Sequence, residues 1–244
     1  TQIRGFGGQL QDDGYSIRQT RDGDYIVAGV VRYWGDREVD IDWANTLLLY
    51  QTTGIGGVIY FIYDIFSDIF GDDTCNKFYV LRVDKDLNLV GDHWFSWKGA
   101  DMAYCVQEAS DGGIVAVGTE GTSSAGANVL LIKYDAGLYQ ELWKREYPNM
   151  QHRDKDDVGR WVEETADGGF IITGFTKSYL SKNNFDILLL KTDSEGNQMW
   201  SRPILPNTLT KDDVGNCVKQ TPDGGYIIVG STKSYTGGKS TDIL

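Results

Sequence analysis

Four aspartates at one repeated position are the sharpest chemical signal in this sequence. Asp12, Asp101, Asp157 and Asp213 each stand ten residues before a second aspartate, Asp22, Asp111, Asp167 and Asp223, which opens an Asp-Gly pair. Two of the four are doublets, with Asp156 and Asp212 just ahead of them. Carboxylates drawn from four equivalent positions are the oxygen ligands that a hard cation such as Ca²⁺ takes. The plainer role for each is to accept backbone N–H bonds and pin its own turn. Dedicated calcium loops space their acidic residues more densely, which favours pinning.

The other reactive side chains are sparse. His93 and His152 are the two histidines, and neither has a sequence-local partner that marks it as a general base. Cys105 and Cys217 share a position six residues before an Asp-Gly aspartate, where the other two repeats carry Ser16 and Trp161. With Cys75 they make three thiols, too few for a disulfide framework and without the paired spacing of a zinc site. No G-x-S-x-G elbow, P-loop or dinucleotide fingerprint occurs. The run "DSEGN" at 193–197 fits an Asx-type hairpin turn better than a metal loop. The expectation is a chain with no catalytic set and no cofactor beyond a candidate Ca²⁺.

The elements that position these residues repeat. Asp111, Asp167 and Asp223 are 56 residues apart, and Asp22 lies 89 before Asp111, one period plus an insertion. Each copy has a short segment before the Asp-Gly turn, then an apolar segment ending at Gly29, Gly118, Gly174 or Gly230. In the first three copies the segments "FYVLRVD", "VLLIKYD" and "ILLLKTD" follow, then a stretch around Trp94, Trp143 or Trp200. Short β-branched and aromatic runs between Gly, Asp, Asn and Ser are strand-and-hairpin grammar. Four strands per repeat predict an all-β fold, a β-propeller of four-stranded antiparallel blades with four repeats visible, in one domain over 1–244. The segment "TQIRGFGG" at 1–8 resembles a fourth strand and is expected to complete the last blade of a closed four-bladed ring. The alternative expectation, from the stop at "STDIL", is a fragment of a larger propeller.

The wording "DGGYIIVGST" at 223–232 and "DILLLKTDSEGNQMW" at 186–200 resembles the propeller repeats of secreted and cell-surface bacterial and archaeal proteins of mostly unknown function. The resemblance spans nearly all of the chain outside 31–76 and implies an extracellular or cell-surface setting. It carries no catalytic residues over, because propellers host many functions.

An insertion at about 31–76, between the second and third strands of the first blade, gives the chain its individuality. It contains "TLLLY" and "VIYFIYDIF" around "QTTGIGG", an extra hairpin by pattern, with helix the alternative for 58–70. Trp34, Trp43, Tyr50, Ile59, Phe61, Ile65 and Phe66 form its candidate interaction surface, and its aromatics suit protein interfaces or sugar rings. In the usual blade winding this insertion leaves the same face of the ring as the four aspartates. The expectation is a non-enzymatic extracellular scaffold or adhesion module that meets a protein partner, or itself, through 44–70. The alternative is a ligand-binding propeller for a glycan or Ca²⁺ at the central channel mouth. A net charge of −12 argues against nucleic acid and against docking on anionic lipid. The apolar run at 54–70, interrupted by Asp64 and Asp68, is too short to span a membrane.

Overall fold

The computed structural model describes residues 2–6, 12–34, 47–51, 59–62, 74–95, 101–121, 126–148, 155–177, 184–204, 211–234 and 242–243. The strands in chain order begin with β1 (Gln2–Phe6), β2 (Asp13–Gln19), β3 (Tyr25–Trp34), β4 (Leu47–Gln51), β5 (Ile59–Ile62) and β6 (Thr74–Val83). Next come β7 (Leu89–Phe95), β8 (Met102–Glu108), β9 (Ile114–Glu120), β10 (Asn128–Tyr134), β11 (Glu141–Tyr147) and β12 (Asp157–Glu164). The last are β13 (Phe170–Thr176), β14 (Asp186–Thr192), β15 (Gln198–Ile204), β16 (Asp213–Gln220), β17 (Tyr226–Thr232) and β18 (Asp242–Ile243). They form the all-β propeller that the repeat predicts. Blade one is β2-β3-β6-β7, blade two β8-β9-β10-β11, blade three β12-β13-β14-β15, and blade four β16-β17-β18.

Each blade is antiparallel, and an Asp-Gly turn joins its first and second strands. Thr20 N–H donates to Asp24 O (2.8 Å) and Gly23 N–H to Thr20 O (3.0 Å), and Ala109, Thr165 and Thr221 repeat the pattern. The turn glycines adopt positive φ, 96° at Gly23 and 78° at Gly168, which a side chain would resist. The turn aspartate reaches a cation on the third strand: Asp111 pairs with Lys133 (2.5 Å) and Asp167 with Lys191 (3.0 Å). Asp22 pairs with Arg82 (2.5 Å) in the same way. The loop between third and fourth strands is also Asx-pinned. Asp84, Asp135 and Asp193 accept from the N–H of Asn88, Tyr139 and Asn197 at 2.8, 2.7 and 2.7 Å, as "DSEGN" predicts.

The glycine that ends each second strand answers to close approach. A Cβ on Gly174 would strike the Val158 carbonyl, and one on Gly118 the Met102 carbonyl. A register shift follows at the facing position, between Gly159 and Trp161 and between Ala103 and Cys105. The small residue before the shift lets the inner strand lie on the preceding blade, where Val117 and Val129 crowd Gly159.

Blades stack in chain order, and the first strands β2, β8, β12 and β16 neighbour one another. The face each blade turns to the next is its forward face, and the opposite one its rear face. Ile26, Ala28 and Phe78 on the forward face of blade one share a core with Ile114, Ala116, Leu130 and Ile132 on the rear of blade two. Val115, Val117 and Val129 pack likewise on Phe170, Ile172 and Leu188 of blade three. Ile171 and Leu189 of blade three pack on Val218, Tyr226 and Ile228 of blade four. Among the described residues no apolar cluster joins blade four to blade one.

Two expectations change. β1 pairs antiparallel with β4, Gln2 opposite Gln51 and Phe6 opposite Leu47, so it does not complete blade four. β4 also pairs with β5, which confirms the inserted hairpin and gives β1 an edge nearer in sequence than β18. The insertion is shorter than 31–76, because β3 and β6 extend their ladder to Trp34 opposite Thr74. Residues 59–62 are strand, not helix. Among the described residues no helix is long and apolar enough to cross a membrane.

Candidate interaction surface

The four repeated aspartates are each engaged within their own blade. Arg32 N–H donates to Asp12 Oδ1 (3.0 Å) and Gly121 N–H to Asp101 Oδ1 (2.9 Å). Thr176 Oγ1 donates to Asp157 Oδ1 (2.5 Å). Asp213 accepts from the hydroxyls of Thr232 and Ser234, the latter at 2.7 Å. Asp101, Asp157 and Asp213 are buried. These bonds tie the entry of each first strand to the exit of the second. Among the described residues no three acidic, histidine or cysteine side chains converge as metal ligands would.

The doublet partners act between blades. Asp156 accepts from Ala127 N–H of blade two (3.2 Å) and holds Lys177 Nζ at 2.6 Å. Asp212 accepts from Phe185 N–H of blade three (3.2 Å) and holds Lys233 Nζ at 2.9 Å. The Lys177 bond holds the Asp156 carboxyl below its usual range. Burial is the largest influence on Asp212 and opposes the same effect, but the Lys233 bond, the Phe185 N–H and the charges of Lys233 and Lys177 together hold its carboxyl below the usual value.

A second set of latches sits at the Asp-Gly end. Arg21 N–H donates to Glu108 (2.8 Å), Ser110 N–H to Glu164 (2.6 Å), and Ala166 N–H to Gln220 (2.8 Å). Each joins the turn of one blade to the first strand of the next. Position 222, which would donate from blade four, is proline and has no N–H. This exception is visible in the sequence, but the latch that gives it meaning is not.

The same end opens on a cavity of about 520 Å³, lined by Arg18, Gln107, Glu108, Glu163, Glu164 and Lys219 among others. Its carboxylates are engaged: Glu163 with Lys219 (3.0 Å), Glu108 with Arg21 (3.1 Å), and Glu164 with the Ser110 hydroxyl (2.7 Å). Among the described residues Arg18 forms no ion pair, and its guanidinium lies 4.5 Å from the centre of the Trp161 ring.

The thiols and the described histidine are placed for packing. Cys105 is fully buried, with Sγ 3.9 Å from Val162 O, and burial pushes its thiol up. Cys217 is half-buried and shifted up for the same reason. A raised thiol is a poor nucleophile. His93 lies beside Tyr134, their ring centres 4.8 Å apart. Trp43, Ile65, Phe66 and His152 lie outside the described residues, as do the side chains of Trp34, Tyr50, Ile59, Phe61 and Cys75. The backbone places Tyr50 in β4 and Ile59 and Phe61 in β5, on one small sheet with β1.

The surface with the clearest character is the forward face of blade four. Ile227, Val229 and Ile243 are 59%, 52% and 90% exposed. Their counterparts by strand register are fully buried in every other blade: Ile26, Val115 and Ile171; Ala28, Val117 and Thr173; Phe78, Val129 and Ile187. One repeat position thus gives a core residue three times and an exposed apolar one once. Residue type alone cannot reveal this, since Ile227 and Ile171 are the same amino acid.

No protein-family model matches the chain, and no curated protein does. Among solved structures, a protein of unknown function from Dyadobacter fermentans is similar at 12% identity and a TM-score of 0.45, over 99% of this chain and 85% of that one. A putative oxidoreductase (glucose dehydrogenase) from Thermus thermophilus is similar at 11% identity and a TM-score of 0.28, over 100% of this chain and 99% of that one. Both likenesses are too weak to bear on what the chain does.

Proposed function

We propose that this chain is a non-enzymatic propeller module, extracellular or at a cell surface, that serves as a scaffold or adhesion element in protein–protein assembly. The observation that carries the reading is the open forward face of blade four. Complete burial of an aliphatic side chain such as Ile or Val is worth roughly 1.5–3 kcal/mol, so covering this face supplies real association energy. Contiguous exposed apolar surface on an otherwise polar protein marks an interaction site. The acidic groups support the same reading, because those at both ends of the first strands fasten turns and blades together. The extracellular setting rests on the resemblance of the repeats. The expected contact through 44–70 belongs to the same proposal, with the β1-β4-β5 sheet as its base.

Sedimentation of the full chain beside an Ile227→Asp/Val229→Asp variant tests the reading. Concentration-dependent association of the wild type, lost in a variant with unchanged circular dichroism, is expected. A wild type that stays monomeric and binds no apolar dye refutes it.

A second reading, a glycan site, draws on the cavity at the Asp-Gly end. Arg18, Gln107, Glu163 and Lys219 occupy one repeat position there and present donors and acceptors to a hydroxyl-rich ligand. Saturation-transfer NMR with an oligosaccharide panel tests it, and a signal that survives Arg18→Ala with Lys219→Ala counts against this cavity.

A further inference from the structure

Among the described residues, one polar side chain lining the cavity at the Asp-Gly end has no hydrogen-bond acceptor, and it is a cation, Arg18. We propose that this cavity binds an acidic saccharide, with Arg18 receiving the carboxylate of a uronic acid residue. This inference rests on the glycan reading of the same cavity and names the chemical class of the sugar.

The other polar side chains of the lining are matched within the protein. Arg21 donates to the carbonyls of Ser110 (3.0 Å) and Ala109 (2.6 Å) and pairs with Glu108 (3.1 Å). Lys219 pairs with Glu163 (3.0 Å). Glu164 accepts from the Ser110 N–H and hydroxyl at 2.6 and 2.7 Å. Gln19 Nε2 donates to Gly23 O (3.2 Å). Gln107, with its amide turned to satisfy both ends, donates to Val162 O (3.3 Å) and accepts from Glu164 N–H (2.6 Å). What the lining lacks is an acceptor for Arg18, and a negatively charged one answers it best.

The repeat shows how this gap arises. Gln107, Glu163 and Lys219 stand in the other blades where Arg18 stands in blade one. Glu163 and Lys219 satisfy each other between blades three and four, and Gln107 gives its amide to the backbone of blade three. The equivalent residue on the next blade is therefore a neutral amide already in use. The Arg18 guanidinium instead lies 4.5 Å from the centre of the Trp161 ring. An aromatic face holds a guanidinium while its edge N–H donors stay available, and that fork grips a carboxylate in two parallel bonds.

The remaining lining selects the body of the ligand. Ala109 is its single apolar residue, so a fatty or aromatic acid finds little to pack against. Lys219 keeps N–H donors beyond the one given to Glu163, and the Glu163 and Glu164 carboxylates keep lone pairs, so sugar hydroxyls meet both donors and acceptors. A volume of about 520 Å³ is in the range that encloses a small ligand. Arg18, Arg21 and Lys219 balance Glu108, Glu163 and Glu164, so the lining is neutral before an anion enters. Charges of the acidic chain farther than about 8 Å away are largely screened at physiological salt.

Isothermal titration calorimetry of the full chain tests this with trisaccharides containing glucuronate, galacturonate or mannuronate, each beside its methyl ester. At least one free acid should bind about tenfold or more tighter than its ester, as loss of a charge-assisted bidentate pair requires. Arg18→Ala and Arg18→Gln, the second keeping an N–H donor without the charge, should each erase that preference. The Arg18 side chain makes no hydrogen bond among the described residues, so circular dichroism and melting temperature should stay unchanged in both variants. Esters that bind as tightly as the acids, with binding lost in Arg18→Ala combined with Lys219→Ala, overturn the acidic class and leave the glycan reading intact. A preference for the acid that survives Arg18→Ala overturns the assignment to Arg18. Triglycine that binds as tightly as the best uronide moves the site to peptide carboxylates and also overturns the inference. Binding of no saccharide, acid or ester, removes the glycan reading and this inference together.

Discussion

Replacing Asp186 with asparagine should stabilise the protein at neutral pH. Asp186 opens β14, is 1% exposed, and accepts from Asn184 Nδ2 at 3.0 Å. Burial, followed by the nearby charge of Asp213, raises its carboxyl from 3.8 to about 6. A carboxyl raised in the folded state binds its proton more tightly there than in the unfolded chain. Its contribution is therefore present in full below the unfolded value and is lost as pH climbs through the folded one, from about pH 4 to about pH 6. A shift of about two units is worth up to about 3 kcal/mol, and relaxation around the charge reduces this to about 1–2 kcal/mol. For a chain of this size that corresponds to roughly 2–8 °C in melting temperature. Blade two already carries the neutral form, because Asn128 opens the equivalent strand β10. Thermal melts of wild type and Asp186→Asn across this range are the assay. The wild type should lose stability as pH rises through the window, and the variant should be flatter and melt higher at neutral pH. Groups held low, such as Asp156 and Asp167, lose their contributions only as pH falls below the normal carboxylate range, so they do not mask the slope. An Asp186→Asn protein that melts lower at neutral pH, or a wild type without the slope, refutes the reasoning.

Other consequences follow from the latches and the aspartate ring. Glu164→Ala strips the Ser110 N–H and hydroxyl of their acceptor and should cost about 1–2 kcal/mol, with Glu164→Gln intermediate, as read from melting temperature. Because Asp157 serves Thr176 and its own turn, chelation should leave the melting curve unchanged, and Asp157→Ala should lower it equally with and without chelator. A chelator effect confined to the wild type would instead assign a cation to the ring.

The repeat was legible because its markers are geometric necessities. Asp22, Asp111, Asp167 and Asp223 open turns whose following glycines need positive φ, and Gly118 or Gly174 leaves no room for a Cβ. Strand order within a blade follows from such local constraints. The partner of β1 was not legible, since "QIRGF" suits any free edge and the choice between β4 and β18 is decided by long-range pairing. The roles of the aspartate ring were readable only as alternatives, because spacing aligns the four residues while hydrogen bonds decide what each one holds. The open face of blade four was hidden for a different reason. Its residues repeat a core pattern, and exposure depends on what stands opposite. Pro222 was visible as an odd residue among Arg21, Ser110 and Ala166, but the missing N–H matters only once the latch is seen.

The central claim is that equivalent residues on forward faces are buried at three junctions and open at the fourth. Cysteines introduced one at a time at Val115, Ile171 and Ile227, each in the full chain with Cys75, Cys105 and Cys217 replaced by alanine, test it through their rates of reaction with a soluble thiol reagent. In protein dilute enough to be monomeric, the thiol from Ile227→Cys should react at close to the rate of an unfolded control, with those from Val115→Cys and Ile171→Cys slower by at least about tenfold, in line with full burial against 59% exposure. Equal protection at Ile171 and Ile227 would mean that blade four is already covered, and would contradict the account.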